Sequence, residues 1–186
     1  MTDYSHRIGE ELLGVTLFVA SIWIVFGLDL FLPLEQLALL PRHISGLIGI
    51  VAMPFLHSNW AHLLANSTPL IVMLILLAGS RANSTVVVTL IILLGGTLHW
   101  FFGRPAYVIG ASGLVFGLMG YLIASGLFER RLVPLLISLI VGLLYGSTLI
   151  TGVLPNQPGV SWDGHLFGAI AGVVVAFFLT RGRQTQ

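Results

Sequence analysis

The sequence contains no cysteine and no lysine, and only 8% of its 186 residues are charged. Without cysteine the chain can form neither disulfides nor thiolate metal sites, and a cysteine nucleophile is excluded. A net charge of +1 and scattered arginines provide no basic patch of the kind that binds nucleic acid or anionic lipid headgroups. Any nucleophile in this chain must therefore carry oxygen.

Apolar residues, in contrast, make up 56% of the sequence. A water-soluble domain of this length cannot bury so much apolar surface, so the composition predicts an integral membrane protein in contact with the lipid bilayer. About 20 apolar residues are needed to cross roughly 30 Å of hydrocarbon. A window of that length predicts six spans, at residues 12–32, 60–79, 85–102, 111–128, 132–150 and 162–180.

The connections between the predicted spans are short except for the first, at residues 33–59. Its apolar stretch at residues 44–56 is interrupted by glycine and proline and is too short to span, so we expect an interfacial or re-entrant element. No linker or internal repeat divides the sequence, and we expect residues 1–186 to form a single all-α transmembrane domain. The acidic N-terminal segment has no cleavage site, so the first span is expected to be a retained helix.

The arginines predict the orientation of the chain in the membrane. If both termini are cytoplasmic, six arginines lie inside and only Arg42 and Arg104 lie outside. The second, fourth and sixth spans then begin at the outer face, and polar side chains lie near the beginning of each. These side chains are His57, His62, Asn66, Ser112 and His165. We expect them to converge just below the outer surface, and the short loops favour a bacterial inner membrane.

Ser112, in Gly110-Ala111-Ser112-Gly113, begins the fourth span and is the candidate nucleophile. A helix N-terminus has unpaired N–H groups and a partial positive charge, which stabilise a developing oxyanion. The base must be a histidine, since only this side chain accepts a proton near neutral pH, and His165 lies inside a span. His62 and Asn66 share a helix face and can both donate hydrogen bonds to an anionic oxygen. The pattern predicts acyl transfer.

A serine in an apolar helix is, by itself, more often a packing residue than a nucleophile. The glycines of the fourth and sixth spans help to decide whether Ser112 is a packing residue or a nucleophile. Gly164, Gly168 and Gly172 recur at every fourth position of the sixth span, which is typical of close helix packing. We expect this stripe to pack against Gly113 and Gly117 of the fourth span. Such packing would bring His165 to Ser112.

Three motifs together resemble the rhomboid intramembrane serine proteases. They are Gly110-Ala111-Ser112-Gly113, the pattern His57-x4-His62-x3-Asn66, and the pattern Gly164-His165-x2-Gly168-x3-Gly172. The resemblance covers nearly the whole chain in its compact six-span form and implies a six-transmembrane-helix rhomboid-like bundle. It implies a Ser112–His165 catalytic dyad without an acidic third member. It also implies an oxyanion hole formed by His62, Asn66 and the backbone N–H of Ser112, and single-span membrane proteins as substrates, cut within or near the membrane.

The chain departs from the family pattern at two places. Many members have a Trp-Arg pair in the first long loop, whereas Arg42 follows a proline here. Position 116 is often a tyrosine that packs on the catalytic histidine, and Phe116 would supply the ring without the hydroxyl.

Other polar residues receive structural interpretations. Asp163 is expected to be a helix cap or surface residue, because residues i and i+2 of a helix point to different faces and Asp163 would not orient His165. His99, next to Trp100, is assigned to an interfacial belt.

Residues 154–160 are expected to roof a water-filled cavity above the serine. We expect substrate to enter near the fifth span, where Gly142 and Gly146 would loosen packing.

Three alternatives to a serine protease fit the sequence less well: a metal enzyme, a transporter and a catalytically silent protein. Three histidines at one depth raise the question of a metal site, but the pattern His-Glu-x-x-His is absent and no carboxylate lies near enough in sequence to act as a base, so no metal and no cofactor are expected. A transporter would place polar groups near the midplane and carry a repeat. The main alternative is a catalytically silent rhomboid-like protein that binds membrane proteins for trafficking or quality control. Such proteins typically lack the serine or the histidine, and this chain has both.

Overall fold

The computed structural model describes residues 8–80, 82–155 and 158–184. Their helices are α1 (Ile8–Asp29), α2 (Gly49–Ala52), α3 (Trp60–Gly79), α4 (Ser84–Phe102), α5 (Ser112–Glu129), α6 (Leu132–Gly152) and α7 (Trp162–Gln184). All except the four-residue α2 are long and apolar enough to cross a membrane. The prediction of an all-helical polytopic membrane protein is therefore confirmed, and the second, fourth and sixth predicted spans are α3, α5 and α7.

The first span differs most from its predicted bounds, because α1 already ends at Asp29. The Asp29 carboxylate accepts a hydrogen bond from the backbone N–H of Leu34 at 2.9 Å. This contact folds the chain back on itself and offers it an alternative to another helical turn. The apolar residues that follow Asp29 therefore belong to the first loop and not to the helix.

The first loop contains the short apolar element predicted between the first two spans. Its segment Ile44–Phe55 is helical but interrupted, and it is too short to cross the bilayer. Arg42 and the neighbouring backbone attach the loop to the end of α4. The Arg42 guanidinium donates to the carbonyl of Gly103 at 2.6 Å, and the Trp100 indole N–H donates to the carbonyl of His43 at 3.0 Å. The tryptophan that contacts this loop thus lies on α4.

Helix α5 lies at the centre of the bundle and packs most extensively on α7. A Cβ on Gly168 would overlap the backbone of Gly113, and one on Gly172 would overlap the carbonyl of Gly117. A Cβ on Gly113 would approach the carbonyl oxygen of Gly164 to 3.4 Å. The two glycine stripes therefore face each other and let the helix backbones touch, which only residues without a side chain permit.

Helix α6 lies at the periphery of the bundle. Its first half packs on α5, where the Ser138 hydroxyl donates to the carbonyl of Ile123 at 3.0 Å and Pro134 lies against Gly126. A Cβ at Gly142 or Gly146 would have nothing within 4 Å, so these two glycines make no close packing contact. The half of α6 that follows Ser138 is accordingly less enclosed by neighbouring helices.

Candidate active site

A cavity of about 790 Å³ brings together the candidate residues from three separate helices. Its walls come from α3, from the segment that leads into α5, from α5 itself, from α6 and from the start of α7. The residues named from the sequence that line it are His62, Asn66, Ser112, Phe116 and His165. All five side chains therefore line the same cavity, although up to 103 positions separate them in sequence.

The imidazole of His165 is held from two sides. Its Nδ1 lies 2.9 Å from the carbonyl oxygen of Gly152, at the end of α6. Because a carbonyl can only accept, Nδ1 carries the hydrogen and the lone pair is on Nε2. The ring of Phe116 stacks on the imidazole at a centroid distance of 4.0 Å and an interplanar angle of 5°. These contacts fix both the tautomer and the plane of the ring.

Ser112 is the first residue of α5, where backbone N–H groups have no partner within the helix. Gly110, two residues earlier, has a φ of +111°, a conformation that favours glycine. The Gly110 N–H donates to the carbonyl of Met53 at 2.8 Å, which anchors the turn to the first loop. The turn thereby delivers the serine to the cavity together with a helix N-terminus.

His62 and Asn66 lie on the cavity face of α3, one turn apart. The side chain of Asn59 caps this helix by accepting from the His62 N–H at 2.9 Å, and the Asn66 amide donates to the carbonyl of His62 at 2.8 Å. A Cβ on Gly110 would lie 2.7 Å from the His62 Nε2 atom. Glycine at this position therefore lets the turn before Ser112 lie directly against the His62 ring.

His57 supports this arrangement from outside the cavity. Its side chain is buried, and its ring makes an edge contact with His62 at a centroid distance of 5.0 Å. The pKa of His57 is lowered from 6.5 to about 4, mainly by burial and in part by the nearby His62, while the hydrogen bond to the carbonyl of Phe55 opposes the shift. His57 is consequently neutral near pH 7.

Of the two positions expected for Asp163, helix cap or surface, the surface position is wrong, and so is the interfacial belt expected for His99. Asp163 is only 4% exposed, and its carboxylate accepts from the Arg104 backbone at 2.8 Å, from the Arg104 guanidinium at 3.0 Å and from the Ser161 hydroxyl at 3.0 Å. His99 is 1% exposed, with its Nε2 3.6 Å from Asp163. The chain after α4 folds back over the start of α7, which encloses both side chains.

Two structural partners of the site were missed by sequence reasoning. The Gly152 carbonyl that orients His165 has no side-chain signature, so no motif could have indicated it. The Arg104–Asp163 pair did leave a signal, because opposite charges stand at the outer ends of two predicted spans. Asp163 does not contact the His165 ring by a hydrogen bond and instead ties the start of α7 to the end of α4.

The structure describes five of the seven residues, 154–160, that were predicted to roof the cavity. Gly159, Val160 and Ser161 line the cavity, whereas Asn156 and Gln157 of the predicted roof lie outside the residues that the structure describes.

Within residues 8–80, 82–155 and 158–184, no group of three histidine or carboxylate side chains is placed to hold a metal ion.

Comparison with known proteins places this geometry in a family. The family model described as the Rhomboid domain matches residues 43–182. An uncharacterised protein of Mycobacterium tuberculosis (strain ATCC 25618 / H37Rv) is 39% identical over 175 residues, which cover 88% of this chain and 72% of the relative. An uncharacterised protein of Mycobacterium leprae (strain TN) is 37% identical over 196 residues, covering 96% of this chain and 76% of the relative. The matched range includes α3 to α6 and nearly all of α7, so this chain belongs to the rhomboid family.

Proposed function

We propose that the protein is an intramembrane serine endopeptidase that cleaves transmembrane protein substrates by a Ser112–His165 dyad. The observation that carries this proposal is the state of His165, whose Nδ1–H is bonded to the Gly152 carbonyl while its ring lines the same cavity as Ser112. An imidazole fixed in this tautomer has its Nε2 lone pair free to accept the serine proton.

The reaction follows from these positions. The Ser112 oxygen attacks the carbonyl carbon of the scissile peptide bond while its proton passes to Nε2 of His165. The protonated imidazole then gives that proton to the leaving amine, and an acyl-enzyme remains on Ser112. Water attacks this ester after giving a proton to Nε2, and return of the proton to the serine oxygen releases the new carboxyl terminus. The Gly152 carbonyl and the Phe116 ring keep the imidazole in place throughout.

The oxyanion formed in each step is stabilised by donors around the start of α5. The N–H of Ser112 is one of the unpaired amides of the helix N-terminus. The Ser58 hydroxyl lies 3.3 Å from Nδ1 of His62, and in the tautomer in which this hydroxyl donates to Nδ1 the Nε2–H of His62 is available as a donor. The Asn66 amide uses one hydrogen for the His62 carbonyl and has a second for the oxyanion.

The substrates that we propose are single-span membrane proteins. The cavity is lined on one side by Ala65, Thr68 and Pro69 of α3, and on the other by Tyr145 and Thr148 of α6. A substrate helix would enter laterally between α3 and α6, since Gly142 and Gly146 of α6 make no close packing contact. This position corresponds to the gate expected near the fifth span.

We further propose that both termini are cytoplasmic and that the site opens to the outer face of a bacterial inner membrane. The support for this orientation is the excess of arginine on the side of the termini. Cysteine is absent from the sequence, so single cysteines introduced at the exposed positions Ser45 and Arg131 can be labelled from either side. A membrane-impermeant thiol reagent applied to intact cells should label Ser45→Cys and spare Arg131→Cys, and the reverse pattern would contradict the orientation.

The catalytic proposal is tested with purified protein in detergent, by labelling with a fluorophosphonate and by cleavage of a reconstituted single-span substrate. Ser112→Ala and His165→Ala should each abolish cleavage, and Ser112→Ala should abolish labelling. Ser125→Ala is the matched control, because Ser125 is buried on the same helix and its hydroxyl bonds to the carbonyl of Leu122. Cleavage that survives in Ser112→Ala would overturn the proposal.

A rhomboid-like protein without proteolytic activity is the second candidate. The family assignment itself is common to both functions, and the two share the glycine packing of α5 on α7. Capture of membrane proteins by the unmodified protein, with neither labelling nor cleavage, would favour this second function.

A further inference from the structure

Helix α3 carries a polar run, Asn66-Ser67-Thr68-Pro69, within an otherwise apolar sequence. Pro69 lies inside the helix and has no backbone N–H, so it cannot donate the hydrogen bond that the carbonyl of Ala65 would receive in a regular helix. The Ala65 side chain is exposed, Pro69 is half-buried, and both line the cavity that contains Ser112. The regular helical donor to the Ala65 carbonyl is therefore missing at a place where both residues line the cavity.

The neighbouring polar side chains of this run are occupied or point elsewhere. The Ser67 hydroxyl is buried and accepts from the Trp23 indole at 3.1 Å, on the side that faces α1. The Thr68 hydroxyl donates to the carbonyl of Leu64 at 3.1 Å, and Asn66 donates to the carbonyl of His62. The carbonyl of Ala65 is thus distinguished from its neighbours by having lost its regular helical donor.

A substrate segment next to Ser112 would offer backbone N–H donors that need an acceptor. To expose a peptide bond to a serine, a transmembrane helix must unwind locally, and its backbone N–H groups then lose their partners in an apolar surrounding, which is costly. Ala65 follows His62 by three residues, or about 4.5 Å along the axis of α3, which corresponds to about one or two residues of extended chain.

We propose that the Ala65 carbonyl, freed by Pro69, is a binding site for a backbone N–H of the unwound substrate, about one or two residues from the scissile bond on the side away from the α3 N-terminus. This proposal rests on the proposed protease function and adds a substrate contact on α3. The bond recognises backbone and not side chain, so it selects a substrate for its ability to unwind at that point.

The test combines Pro69→Ala with synthetic transmembrane peptides. Pro69→Ala restores an N–H to residue 69, which satisfies the Ala65 carbonyl within the helix and removes it as an acceptor. In the peptides, one amide at a time is replaced by an ester, which removes a single N–H donor. Four positions on each side of the scissile bond are examined. Thr68→Val is the matched control, because it removes the adjacent hydroxyl and leaves Pro69 in place.

In the unmodified protein and in Thr68→Val, an ester at the predicted position should lower kcat/KM by about 3- to 10-fold, the effect of one hydrogen bond. In Pro69→Ala the same ester should have less than about a twofold effect, because the Ala65 carbonyl is then satisfied within the helix. An ester effect that is equal in the unmodified protein and in Pro69→Ala would overturn the acceptor site while cleavage still depends on Ser112. Cleavage that does not depend on Ser112 would instead overturn the proposed function.

Discussion

Substitution of Gly168 by alanine tests whether the packing of α7 on α5 controls catalysis. A Cβ at Gly168 would lie 2.9 Å from the carbonyl carbon and 3.2 Å from the Cα of Gly113. Carbon atoms in contact are about 3.5–4.0 Å apart, and the Gly113 carbonyl oxygen would lie closer still, so the two helices would have to separate by about 1 Å. Both groups in conflict belong to backbones and cannot rotate away. Because Gly113 follows Ser112 and Gly168 lies one turn after His165, the separation would act directly on the proposed Ser112–His165 dyad.

We expect Gly168→Ala to lower kcat by about 100-fold, the cost of misplacing reacting groups by about 1 Å. Overpacking should also lower the free energy of unfolding by about 1–3 kcal/mol. The assay is steady-state cleavage of a fluorogenic transmembrane substrate, with Tm measured in the same detergent to establish that the protein is folded. Gly142→Ala is the control, because a Cβ at Gly142 has nothing within 4 Å. A normal kcat in Gly168→Ala, or an equal loss in Gly142→Ala, would refute the reasoning.

Three further predictions concern the surroundings of the site. Phe116→Ala should lower kcat about 3- to 10-fold by removing the ring stacked on His165, whereas Phe116→Tyr should stay within about twofold, and equal rates in the two variants would contradict a role for the ring. Asp163→Asn should cost about 1–3 kcal/mol of unfolding free energy, a moderate value because the Arg104 side chain is 52% exposed, and the loss should not add to that of Arg104→Ala in a thermal-unfolding cycle. His57 should make the fold acid-labile, because its pKa is 6.5 unfolded and about 4 folded. The unfolded chain therefore binds a proton that the folded protein does not, and up to about 3 kcal/mol is lost as pH falls through that window. His57→Phe should flatten the dependence of Tm on pH, and an unchanged slope would assign the lability to other groups.

The membrane class, the number of spans and the approximate bounds of five of them follow from apolar runs alone. A run of about 20 apolar residues has few alternatives to a membrane helix, because a bilayer leaves no water to satisfy exposed backbone groups. The bounds of α1 were less predictable. Its end depends on one hydrogen bond between Asp29 and Leu34, and hydropathy does not report such a bond.

The candidate site was predictable where it depends on side-chain type and helical spacing. His62 and Asn66 share a face because they are four residues apart, and the glycine repeat of α7 indicates a close neighbour. The buried positions of Asp163 and His99 were not predictable, because they depend on how the chain after α4 folds back over the start of α7. A single sequence does not specify that path.

The sequence by itself thus determined an all-helical membrane protein in which any nucleophile must carry oxygen, since composition and period are local properties of the chain. The tertiary structure alone decided that the Gly152 carbonyl orients His165 and that Arg104 binds Asp163. It also decided that Ala65 and Pro69 of α3 line the same cavity as Ser112. These relations join backbone and side-chain atoms far apart in sequence, and only the packing of helices brings such atoms within hydrogen-bonding distance.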